Sequence, residues 1–312
     1  MKIAIVLEPL SDANLRLAKQ IGVDEVVGRY PGSELDDLRP LKEHVKTSGL
    51  RLGVIEGYVP MDKIVLDEPG RDDQVELIEQ LICNMGELDI PVLCYNFMST
   101  GDMTRTNFGV EERGGALVNS FDAALLENDP PDKDAPVTED QLWERLKRFL
   151  EEILPAAEAA GVKLAMHPDD PPIPEMHGIA RIMGSIENYE RLVGLVPSES
   201  NGICFCQGCF SEMGEDVPAA IRKLGAHIHY AHFRDVKGCA TGFQETFHDC
   251  GQTDMAEAIR AYHEIGFDGP IRPDHVPRLE GETGAATGYT IKGRLFAVGY
   301  MRGLMHAVET EK

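Results

Sequence analysis

Six residues of reactive type stand at or near the ends of short apolar runs: Glu56, Asn96, His167, Cys206, His232 and Asp274. The last four are two imidazoles, a thiol and a carboxylate, a donor set that suits a divalent transition metal. Each has a plain explanation by itself. A His at a strand end is usually a satisfied polar group, Cys is a common small core residue, and Asp274 could cap a helix. Their placement on four consecutive runs is what points to a shared ion. Neighbouring strands lie roughly 5 Å apart, so four such side chains can converge at one point. Alternation agrees, because Cys204 and Cys206 share a face of one run and Tyr230 and His232 share a face of the next.

The elements that must position these groups follow a regular alternation. The short apolar runs are Lys2–Glu8, Asp24–Tyr30, Arg51–Gly57, Ile90–Met98, Lys163–Asp170, Asn201–Gly208, His227–Asp235 and Pro270–Val276. Most are rich in Ile, Val and Leu on both faces, as strands of a covered parallel sheet must be. Helical patterns lie between them, among them Asp12–Ile21, Asp72–Gly86, Glu139–Ala160, Ser185–Val193, Asp216–Leu224 and Asp254–Ile265. Gly22, Gly161, Gly225 and Gly266 follow four of these, where a helix stop calls for left-handed backbone.

Eight such repeats without a break in composition predict a single-domain α/β fold, a (β/α)8 TIM barrel over residues 1–312. Reactive side chains then belong at the C-terminal strand ends. One segment departs from the rhythm. Residues 99–136 separate the fourth strand from its helix and are rich in Gly, Asn, Asp and Pro. A lid over the catalytic face and a decorative insertion are equal readings of it. A shorter excursion, Pro168–Gly184, follows the fifth strand.

Hydrophobic residues at 43% and charged residues at 27% are enough for a large core. A net charge of -23 argues against nucleic acid or an anionic membrane as partner. It leaves an anionic small molecule open, since a metal or a few Arg residues can reverse the local field. No stretch is long and apolar enough to span a membrane. The opening apolar run is cut short by Glu8 and reads as a strand, not a leader. Seven Cys residues, several in predicted strands, fit a reduced, cytoplasmic protein. Cys206 and Cys209 have CxxC spacing, but no second pair completes a structural zinc site. Cys209, Cys239 and Cys250 are therefore read as structural or incidental. The Gly-rich stretch Gly281–Gly288 lacks the Lys-Ser/Thr of a phosphate loop and reads as a mobile loop before the last helix.

A set of motifs runs through most of the chain: Cys94-Tyr-Asn-Phe-Met98 with Thr104-Arg-Thr106, His167-Pro-Asp-Asp-Pro-Pro172, and Asn201-Gly202 leading to Cys206. Further on come His229-Tyr-Ala-His-Phe-Arg234, Gly251 through Asp254-Met255, and Arg272-Pro-Asp-His275 with Tyr289. In these the chain resembles the mannonate dehydratases, within the wider group of xylose-isomerase-like barrels. The resemblance implies a manganese ion on His167, Cys206, His232 and Asp274, with His275 and Tyr289 as catalytic acid and base in either order. It implies loss of water from a sugar acid such as D-mannonate, giving a 2-keto-3-deoxy acid.

Arg105 and Arg234 are candidates to bind a substrate carboxylate bidentately, against the plainer reading of salt bridges to the many acids. Asn96 and His248 are further substrate-binding candidates. The donor set would also accept Fe2+ or Zn2+. Some positions depart from the family pattern. No Trp stands in Ser99–Met103, Cys209 replaces a common Ser, and Val276-Pro-Arg278 follows His275 in place of a Gly-led segment. These bear on the choice of substrate more than on metal or fold. A metal-dependent sugar isomerase or epimerase is the alternative activity, and a non-catalytic barrel holding a small ligand the alternative class. A homo-oligomer stays open.

Overall fold

The computed structural model describes residues 1–99, 104–126, 136–283 and 286–311. Eight parallel strands close into a barrel: β1 (Lys2–Val6), β2 (Glu25–Arg29), β3 (Arg51–Glu56), β4 (Val92–Tyr95), β5 (Lys163–Met166), β6 (Asn201–Cys206), β7 (Ile228–Phe233) and β8 (Pro270–Pro273). They neighbour one another in chain order, and β8 returns to pair with β1 at Lys2 and Ile3. The (β/α)8 expectation is met.

The strands stop earlier than the apolar runs suggest. The run Ile90–Met98 yields a strand only over Val92–Tyr95, and residues 96–99 leave the ladder. In a tilted barrel the last residues of a run outreach their neighbours' hydrogen bonds, so they are free to turn toward the mouth.

Two apolar layers result from the alternation of side chains. The barrel interior is filled by Ala4, Val6, Val27, Val54, Val92, Cys94, Ala165, Cys204 and Tyr230. Small residues dominate it, which leaves room for the Tyr230 ring. The outward faces meet the helices. The longest, Glu139–Ala160, buries Leu142, Trp143, Leu146, Phe149, Leu150, Ile153 and Leu154 at helical spacing. A capping box of Thr138 and Gln141 starts that helix and Gly161, at φ 67°, stops it. Gly22 and Gly266 are left-handed stops as expected. Gly225 is not. Its φ is -48°, and it opens a short 3-10 turn beneath Ile265.

The segment read as an irregular loop contains a hairpin. Asn107–Glu112 pairs with Ala116–Asp122, which pairs with Gly242–Glu245, which pairs in turn with Val236–Cys239. This accessory sheet joins the excursions after β4 and β7. The β8 excursion is tied to it by the bridge of Leu117 with Arg278. The hairpin escapes sequence reading because its outer strand, Asn107–Glu112, is mostly exposed and its apolar alternation is limited to Phe108 and Val110, too short to mark a strand. The rest of the expected lid, residues 100–103 and 127–135, lies outside the described residues. So do residues 284 and 285 of the Gly-rich stretch. Among the described residues no helix is long and apolar enough to cross a membrane.

Candidate active site

The strand ends converge as their sequence positions require. Cys206 and His232 are paired neighbours on β6 and β7, and His232 pairs with Arg272 on β8. His167 follows the last residue of β5, and its ring lies 4.9 Å from that of His232. One donor atom each from His167, Cys206 and His232 lies within 4.8 Å of the other two. Asp274 adds Oδ2 at 3.5 Å from His232 Nδ1. All four residues are buried.

Tautomers follow from hydrogen bonds. His167 Nδ1 lies 2.7 Å from the Pro168 carbonyl, so it carries the proton and leaves Nε2 bare. His232 Nε2 lies 3.3 Å from Glu56 Oε2, which leaves Nδ1 bare. Both bare nitrogens are buried without a hydrogen-bond partner among the described residues. Burial alone would lift the Cys206 thiol, but the hydrogen bond from Cys209 and the charge of Arg234 oppose it, and the thiol lies well below its usual range. Two orphaned imidazole nitrogens, a thiolate and a carboxylate fit a divalent metal.

Two other groupings of donors fit less well. Cys94 and Cys204 hydrogen-bond one another within the barrel interior, beneath His232. Asp170, Cys209 and Glu212 already share the Arg234 guanidinium, at 3.1, 3.5 and 2.8 Å.

A cavity of about 430 Å³ opens above the donors. His167, His232, Asp274, Asn96 and Tyr289 line it, together with Glu8, Arg29, Glu56 and Arg272. Tyr289 Oη lies 3.0 Å from His275 Nε2. The antiparallel bridge of Val276 with Gly288 brings this pair together. Gly288 has φ 99°, and a Cβ there would meet both Asn119 and His275 at 3.5 Å. His275 itself sits at φ 42°, a left-handed conformation that is costly for a residue other than Gly. Burial and the Asp274 carboxylate push the Tyr289 phenol up to about 12, against the opposing charges of Arg29 and Arg272.

Arg105 and Arg234 lie elsewhere. Arg105 holds Asp170 bidentately at 2.9 and 2.8 Å and Glu245 at 2.9 Å. Arg234 is fully buried among Asp170, Glu212 and Glu245. Neither lines the cavity. Nor does His248, whose Nε2 bonds the Phe233 carbonyl at 2.7 Å while its ring stacks on Phe233. Burial drops the His248 imidazole to about 4.

Sequence reasoning passed over Arg29, Glu8 and Arg272 as site groups. Arg29 binds Glu8 and Glu56, each at 3.0 Å. The strand-end rule that found the other residues would have found Arg29 and Glu8 had it been extended to β2 and the run containing β1.

The family model for D-mannonate dehydratase (UxuA) matches residues 11–135 and 131–312. The chain belongs to the mannonate dehydratase family. With that family it is an enzyme, a hydro-lyase. Mannonate dehydratase of Streptococcus uberis is 34% identical, over 96% of this chain and 95% of its own. That of Thermotoga petrophila is 35% identical, over 93% and 92%. The crystal structure of mannonate dehydratase from Streptococcus suis superposes with a TM-score of 0.91 at 32% identity, covering 99% of this chain and 95% of that one. A D-psicose 3-epimerase from Clostridium cellulolyticum reaches a TM-score of 0.64 at 14% identity, covering 98% and 99%, and shares the fold alone.

Proposed function

We propose that this family member removes water from a sugar acid of the D-mannonate type, giving a 2-keto-3-deoxy acid, with a divalent metal at His167, Cys206, His232 and Asp274. The observation that supports this most is the convergence of bare, buried donors below a cavity into which Tyr289 projects with His275 behind it. Manganese is the first choice of metal, by the family resemblance. Bound there, the ion would serve as a Lewis acid toward substrate carboxylate or hydroxyl oxygens.

Dehydration takes a proton from the carbon beside the carboxylate and hydroxide from the next carbon. The hydroxide leaves with a proton as water, and the resulting enol becomes the keto acid. The protein therefore needs one group to take a proton and one to give one. Tyr289 keeps its proton at neutral pH and faces the cavity, so it can protonate the departing hydroxide. His275 Nε2, 3.0 Å behind, can take or return a proton through the phenol oxygen. Asn96 and Arg29 line the wall, where they can hold substrate hydroxyl or carboxylate oxygens. Arg105, Arg234 and His248, enclosed by their own partners, frame the site from behind.

The test is to purify the protein, measure its bound metal, and assay keto-acid formation from a panel of aldonic acids with and without a chelator. Loss of 18 mass units from substrate, roughly one water, separates dehydration from isomerisation, which conserves mass. Activity that survives complete chelation, or mass-conserving turnover, would overturn the proposal.

A further inference from the structure

His275 has a second neighbour that no motif announces. Glu245 closes the accessory strand Gly242–Glu245, thirty residues before His275. Its Oε1 lies 2.5 Å from His275 Nδ1. The same oxygen accepts from Arg105 Nε at 2.9 Å and faces an Arg234 nitrogen at 3.4 Å. Both arginines also hold Asp170, so Glu245 is fixed from behind. It is buried, and the hydrogen bond with His275 and the charges of Arg105 and Arg234 override its burial and bring its carboxyl down to about 2.

We propose that Glu245 is the positioning residue for His275, setting its tautomer and ring orientation, and that the accessory sheet delivers it. The inference rests on reading His275 and Tyr289 as the proton-handling pair. A carboxylate is an acceptor only, so a 2.5 Å contact requires the proton on Nδ1. Arg105 also lies 3.3 Å from Nδ1, but a donor there cannot compete with the shorter carboxylate contact. With Nδ1–H committed, the Nε2 lone pair is turned toward the Tyr289 hydroxyl. This is the logic by which a buried carboxylate orients the imidazole of a hydrolase triad.

The accessory sheet gives the arrangement its rigidity. Gly242, Phe243 and Gln244 pair with Asp122, Phe121 and Ser120, and the Phe121 and Phe243 rings pack 5.7 Å apart. Arg105 lies over the Phe243 ring at 4.9 Å. The insertion after β4 thus reaches His275 through side chains that never enter the cavity.

The experiment compares Glu245→Gln with the parent, both full length and manganese-loaded, with D-mannonate as substrate. The expected result is a kcat lower by about 100-fold, KM within about threefold of the parent, and unchanged metal content. A kcat within about twofold of the parent overturns the proposal. So does a loss that appears in KM alone, which would mark a binding role. A second measurement needs no variant to fold. Nitrogen-15 NMR of histidine-labelled parent protein, loaded with zinc because manganese broadens the signals, reads the tautomer directly. A proton on Nδ1 of His275 is expected, and a proton on Nε2 overturns the inference. If the parent turns over no sugar acid, the functional reading fails, while the tautomer still decides the role of Glu245.

Discussion

Arg272 spans the mouth of the barrel to grip Glu56, placing two guanidinium nitrogens at 2.9 and 2.6 Å from its carboxylate oxygens. Its third nitrogen bonds Asp274 at 2.7 Å. One buried cation thereby holds a proposed metal ligand and the carboxylate that fixes the His232 tautomer. The charge of Arg272 is the strongest force keeping both carboxylates ionised against burial.

Replacing Arg272 by Leu should leave two buried carboxylates without their main partner. Stability should fall by about 3–5 kcal/mol in urea unfolding. Metal affinity should fall about 10- to 100-fold, because the ligand and its supporting group both lose their anchor. A metal titration showing parent-like affinity would separate Arg272 from the proposed metal site.

Metal removal should be visible without any assay of turnover. An ion bound only by the folded chain stabilises it by about 4 kcal/mol at a thousand times its dissociation constant. Chelation should therefore lower the melting temperature by several degrees, and adding manganese should restore it. Cys206→Ser should show most of that loss with or without chelator. An identical melting curve in chelator and in excess manganese, iron or zinc would refute the site.

The two classes of arginine should respond differently. Arg105→Met removes the main counterion of Asp170 and a partner of Glu245, all buried. It should cost about 3–5 kcal/mol of stability. Arg29 is part-exposed at the cavity wall, with its Glu8 partner also part-exposed. Arg29→Met should raise KM for the sugar acid by about tenfold or more while changing stability much less. Equal KM for parent and Arg29→Met would remove Arg29 from the substrate's surroundings.

Glu112 ties the insertion to the β7 excursion. It accepts from Lys237 at 2.6 Å and from the Thr246 hydroxyl at 2.8 Å. Burial would raise its carboxyl, but bonds from Lys237, the Arg113 backbone and Thr246 bring it down to about 2. A depressed carboxylate stabilises the fold above its unfolded pKa, and that share is lost as pH falls from about 4.5 toward 2. The stability gap between the parent and Glu112→Gln should be constant near neutral pH and shrink through that window. Urea midpoints at a series of pH values test this, and a gap that widens on acidification would contradict it.

The barrel and the convergence of its reactive strand ends could be read from the chain alone because both are local patterns. Ile- and Val-rich runs separated by helical spacing dictate parallel strands and covering helices, and period-two alternation tells which side chains share a face. Consecutive strands are neighbours in the barrel, so His167, Cys206, His232 and Asp274 needed no long-range information to be grouped. The pairing of His275 with Tyr289 came from motif resemblance. The structure adds that a left-handed His275 and the Gly288 bridge bring the two together.

Charge partnership was decided by tertiary structure alone. Arg105 and Arg29 are the same residue type, and nothing local distinguishes a cavity-facing guanidinium from one locked between buried acids. Asp170 lies 65 positions from Arg105, and Glu245 lies 140 away. Only the folding of three separate excursions onto one mouth brings them within hydrogen-bond range. The accessory sheet is of the same kind, since its strands bind partners from another excursion and its outer strand is largely solvated. Sequence pattern records which face of an element is buried. It does not record which distant element supplies the partner, and Glu245 beside His275 is a partner of that sort.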